Sequence, residues 1–109
     1  MGWLRVNLQR RADGVAVVLT GELDLAEVGR VARRLAKVEQ EAPPVVYVDL
    51  RKLTFLDSSG LQALVDVDAR GRAAGRRVLF IRGPRTVQRV FEVTRLEERV
   101  EFLEDLPLE

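Results

Sequence analysis

The chain contains no histidine and no cysteine. Without cysteine there is no disulfide framework, no thiolate nucleophile and no thiolate metal site. Without histidine the usual general base and the commonest metal ligand are missing. Ser-His-Asp and Cys-His catalysis are therefore excluded within these 109 residues. No apolar run approaches the roughly 20 residues that a membrane-crossing helix needs. The opening Met1-Gly2-Trp3-Leu4-Arg5 leads into an alternating pattern, not the apolar core of a signal peptide. An excess of either charge is lacking too: 18 basic and 17 acidic residues leave +1. Phosphate recognition needs a clustered basic surface, so direct nucleic-acid binding is not expected. The expectation is a cytoplasmic, soluble, monomeric domain with no metal and no cofactor.

What is present suffices for one compact domain over residues 1–109, with 47% apolar residues to build its core. Leu4, Val6 and Leu8 alternate with Arg5, Asn7 and Gln9, which predicts a half-buried strand. Asp13-Gly14 signals a hairpin into Val15-Ala16-Val17-Val18-Leu19, apolar on both faces and therefore more central than its edge partner. Gly21-Glu22-Leu23-Asp24 is expected to break that strand, with Asp24 capping a first helix. The apolar face of this helix would be Leu25, Val28, Val31, Leu35 and Val38. After Pro43-Pro44 a second two-sided strand, Val45 to Leu50, begins.

A second helix is predicted from Ser58 to about Ala74, stopped by Gly75. Val78–Ile81 reads as a strand, and Gly83-Pro84 opens a third helix with Pro84 in its first turn. Val87, Val90, Phe91 and Thr94 form that helix's inner face. A last strand lies around Val100-Glu101-Phe102, and the acidic tail from about residue 104 is left open. The order β-β-α-β-α-β-α-β implies a single-domain α/β fold, with a mixed sheet and right-handed parallel crossovers. In such sheets function gathers beyond the carboxyl ends of the parallel strands. That rule collects Asp24, Asp57, Ser58, Ser59, Gly60 and the loop Arg82-Gly83-Pro84-Arg85.

Asp57-Ser58-Ser59-Gly60 stands where a strand ends and a helix starts. A helix N-terminus offers unpaired N–H groups and a partial positive charge, so it tolerates an added anion. From spacing alone the serines read as a cap and a backbone partner, or as a phosphate acceptor. Asp57 reads equally as a cap, as a group positioning the Ser58 hydroxyl, or as part of a docking surface. The Arg70, Arg72, Arg76, Arg77 cluster shares its region with Asp66 and Asp68 and reads as a solvated helix end. Trp3 and Tyr47 read as packing residues.

With Leu19-Thr20-Gly21-Glu22-Leu23-Asp24, Val48-Asp49-Leu50, Leu53 through Leu61, and Pro84, Val87, Arg89, Val90 and Phe91 in these places, the chain resembles the STAS family. Within that family it is similar to the single-domain bacterial anti-sigma factor antagonists. The resemblance implies that Ser58 is phosphorylated by a partner that is both anti-sigma factor and serine kinase. It further implies that the unphosphorylated form binds this partner and frees a sigma factor, and that a serine phosphatase resets the switch. Asp24, Asp57, Ser58, Ser59 and Gly60 would form the binding surface. In one departure, family members often carry Gly before the Leu that follows the third helix, where this chain has Thr94-Arg95-Leu96.

A second reading within the family is an accessory subunit of a lipid-transport ATP-binding-cassette system, docking constitutively through its first two helices. The complete Asp-Ser-Ser-Gly motif favours the regulator. An enzyme acting on nucleotides or esters would have to work without His or Cys. The chain also has neither a Walker glycine loop nor a Gly-x-Ser-x-Gly elbow. Weak nucleotide binding, a trait of some STAS domains, would not make it an enzyme.

Overall fold

The computed structural model describes residues 2–109. The elements follow the order β1 (Leu4–Arg11), β2 (Gly14–Leu23), α1 (Val28–Gln40), β3 (Val45–Leu56), α2 (Ser58–Ala73), β4 (Arg77–Ile81), α3 (Arg85–Val93) and β5 (Glu101–Leu103). A single 3-10 turn, Leu96–Glu98, precedes the last strand. The five strands form one sheet in sequence order, β1 antiparallel to β2 and the others parallel. No helix among the described residues is long and apolar enough to cross a membrane.

Periodicity decides the core. Val31, Leu35 and Val38 of α1, Leu61, Leu64 and Val67 of α2, and Val87 and Phe91 of α3 pack on Val17, Val48 and Phe80 of the sheet. Phe80, Phe91 and Phe102 fix α3 against β4 and β5, with ring centroids 5.1–6.2 Å apart and edge-on or tilted planes. Such pairs contribute about 0.5–1.5 kcal/mol each beyond burial.

Parallel sheets are usually covered by helices on both faces. Here Ala16, Tyr47, Leu79 and Ile81 form a separate apolar patch, and Leu106 of the C-terminal tail packs on it. The tail is fastened by Arg82–Glu104 (2.9 Å) and Arg51–Asp105 ion pairs. Arg11 donates to the Pro107 carbonyl and the Ala12 N–H donates to Glu109 Oε1, both at 2.7 Å. The segment from residue 104 is thus a strap across the helix-free face.

Several expectations need correction. Gly21 does not end β2; it takes φ 110° inside the strand, beside a register shift, and pairs on both sides with Leu4 and Leu53. A Cβ on Gly21 would lie 2.2 Å from the Trp3 carbonyl oxygen, so only glycine fits this irregularity. The third strand continues past Leu50 to Leu56 because β2 keeps pairing with it. The first helix starts at Val28, leaving Leu25 outside it and 70% exposed. Pro84 is the N-cap of α3 and not a first-turn residue. Trp3 is 56% exposed, with the Arg5 guanidinium over its ring, whereas Tyr47 is buried and donates its hydroxyl to Asp13 at 2.6 Å. Arg95, at the departure from the family pattern, adopts left-handed φ 62°.

Candidate functional site

Asp57 lies between β3 and α2, and its two carboxylate oxygens serve different elements. Oδ1 accepts the Gly60 N–H at 2.9 Å and caps α2. Oδ2 accepts the Leu25 N–H at 3.0 Å and so holds the β2–α1 loop. Of the roles left open for Asp57, the cap is the one observed. Backbone contact closes the same seam: Asp57 N–H donates to the Leu23 carbonyl at 3.3 Å. Gly60 allows α2 to sit here, since a Cβ would stand 2.6 Å from the Leu23 carbonyl oxygen and 2.9 Å from Leu56 Cδ1.

Asp24 lies between the two residues that Asp57 grips. Its Oδ1 accepts the Glu27 N–H at 3.2 Å, and its carbonyl accepts the N–H groups of Glu27 and Val28. It therefore caps the turn leading into α1, while Glu27 occupies the N-cap position of α1 itself. The fold thus brings Asp24, Asp57, Ser58, Ser59 and Gly60 together. It leaves the Arg82–Arg85 loop behind. Gly83 abuts Leu50, and β3 runs on from there to Leu56, the residue before Asp57, about 20 Å at strand rise. Arg82 is turned to the strap, paired with Glu104 and stacked on Phe102.

Ser58 is the first residue of α2 and exposed; Ser59 is half-buried. Because Asp57 supplies the cap, the reading of either serine as the cap is set aside. The first N–H groups of α2 have no partner within the helix, so the Ser58 side chain stands where an anion is tolerated. Both serines border a groove of about 480 Å³ between α1 and α2. Val28, Ala32 and Ala63 supply its apolar lining, and Gln62, Asp66 and Arg70 its polar rim.

The sequence reading missed these lining residues, although Ser59, Ala63, Asp66 and Arg70 follow the three-to-four-residue spacing of one helical face. Arg70 is held by Glu39 through contacts of 2.8 and 2.9 Å, and this carboxylate raises the guanidinium's pKa further. Arg72 pairs with Asp68 and Arg77 with Glu101, so most of the arginine cluster is committed within the fold.

The family model described as "Mlab, STAS domain" matches residues 6–105. The chain belongs to the STAS domain family. A search of curated protein sequences found no significant match. Among solved structures, this STAS chain is similar to an anti-sigma factor antagonist from Mycobacterium paratuberculosis. That pair has 21% identity and a TM-score of 0.83, over 95% of this chain and 88% of the other. The unphosphorylated anti-sigma factor antagonist SpoIIAA gives 21% identity and 0.78, over 93% and 90%. Phosphorylated Bacillus SpoIIAA gives 20% and 0.70, over 94% and 93%. At such identities the likeness establishes the shared mixed α/β fold.

Proposed function

We propose that this STAS domain is an anti-sigma factor antagonist switched by phosphorylation of Ser58. It acts as a binding module and not as an enzyme: a cytoplasmic monomer that engages an anti-sigma factor with serine kinase activity and is reset by a serine phosphatase. The observation that carries the reading is Ser58 itself. Its hydroxyl is exposed at the first position of α2, next to a carboxylate already engaged as the cap, at the border of the α1–α2 groove. Two solved neighbours of the same fold are the unphosphorylated and phosphorylated forms of one antagonist.

The proposed switch is electrostatic. Phosphoserine carries roughly −1.5 to −2 charges at neutral pH and three acceptor oxygens. The α2 N-terminus tolerates that charge, so the backbone has no reason to rearrange. A docking partner, by contrast, would have to desolvate a dianion beside Asp57 and near Asp24. Such burial costs about 2–5 kcal/mol, or roughly 30- to several-thousand-fold in affinity.

Incubation with the cognate kinase and ATP, followed by mass spectrometry, is the test. One phosphate on Ser58, abolished by Ser58→Ala, supports the reading, and phosphate on Ser59 overturns it. Ser58→Asp should bind the kinase much more weakly than Ser58→Ala. Equal, tight binding of both to a transport ATPase would support the accessory-subunit reading instead.

A further inference from the structure

Leu25 occupies a position that helical spacing would place on the buried face of α1, yet it is 70% exposed. The cause is local and specific. Asp57 Oδ2 takes the Leu25 N–H, and the turn capped by Asp24 delays α1 until Val28. A large apolar side chain is thereby held in solvent at the seam that carries Ser58. Leu25 lies in the turn three residues before Val28, which lines the α1–α2 groove with Ala32.

The charges at Leu25 itself are acidic: Asp24 adjoins it in the chain and Asp57 holds its N–H, while Arg30 is tied to Glu27 and Arg33 lies further along α1, beside Gly29. We propose that Leu25 is the apolar anchor of the partner-binding surface and that Asp57 is its positioning residue. The occupant is a protein surface with an apolar pocket rimmed by cationic side chains. The inference rests on the Ser58 reading above and deepens it: a phosphate at Ser58 puts added bulk and a tightly hydrated dianion at the anchor's seat, which a docked surface must displace and desolvate.

Asp57→Asn separates the cap from the clamp. Asparagine caps helices as well as aspartate does, but its carboxamide has one acceptor oxygen. Used on the Gly60 N–H, that oxygen is lost to Leu25, which then faces an amide NH2. The experiment measures binding of the kinase to wild type, Leu25→Ala, Asp57→Asn and the double variant by calorimetry, with amide exchange followed at Leu25 and Gly60. Expected are a loss of about tenfold or more for Leu25→Ala, a comparable loss for Asp57→Asn with faster exchange at Leu25 alone, and a double variant no weaker than the weaker single. A merely structural or electrostatic Asp57 would give additive losses, which overturns its positioning role. Wild-type binding undiminished by Leu25→Ala overturns the anchor while leaving the Ser58 reading intact. Wild type that neither binds the kinase nor is phosphorylated overturns both.

Discussion

Two glycines near helix starts should respond to the same substitution with opposite sign. Gly29 is the second residue of α1, exposed, and an added Cβ meets only Arg33 Nη1 at 3.5 Å, an ordinary contact with a flexible side chain. Alanine there reduces the freedom of the unfolded chain and improves helix propensity, a gain of a few tenths to about 1 kcal/mol. Gly60 is the third residue of α2. Its Cβ would lie 2.6 Å from the Leu23 carbonyl oxygen, 2.7 Å from Leu23 Cγ and 2.9 Å from Leu56 Cδ1. Leu23 and Leu56 are buried and cannot swing away, so the start of α2 must move. Overpacking of this kind costs about 1–3 kcal/mol, and the propensity gain offsets part of it. A net loss of about 1–2 kcal/mol corresponds to a fall in Tm of about 4–10 °C for a domain of this size. Thermal and urea unfolding followed by circular dichroism measure both variants under one condition. Shifts in the same direction for Gly29→Ala and Gly60→Ala would refute the argument that α2 is seated by close approach to β2.

Arg95→Gly should stabilise by about 1 kcal/mol, since it relieves a non-glycine residue at φ 62°; denaturant midpoints check this. Leu106→Asp should lower stability and raise binding of a hydrophobic dye, because it lifts the strap from the Ala16, Tyr47, Leu79 and Ile81 patch. Burial raises the Asp68 carboxyl above its ordinary pKa despite its pairing with Arg72. The folded state therefore holds that proton more tightly than the unfolded chain does. Stability is lost as pH rises through the carboxylate range and regained on acidification. Relative to Asp68→Asn, wild type should gain stability as pH falls from neutral to about 4, and a relative loss in paired urea titrations contradicts the assignment.

Much of the fold is legible in the sequence because its signals are local. Alternation at Leu4, Val6 and Leu8, helical spacing at Val31, Leu35 and Val38, and the stop at Gly75 each depend on neighbours within a turn or a pleat. Strand ends are less legible, since Gly21 stays in the sheet through pairing with Leu4 on one side and Leu53 on the other. The strap is illegible for a related reason: Leu106 gains a partner only after β2, β3 and β4 have assembled the patch beneath it.

The motif Asp57-Ser58-Ser59-Gly60, by itself, marked the candidate site and placed its serines at a helix start. Which side chain would cap was decided by tertiary structure. The Asp57 carboxylate reaches its own helix at Gly60 and a loop 32 residues earlier at Leu25. That long-range hydrogen bond overrides the periodicity that would have buried Leu25, while the bond to Gly60 leaves the serine hydroxyls free of capping. Sequence spacing describes one helix or strand at a time; the exposure of Leu25 and the fit at Gly60 arise only where two elements meet.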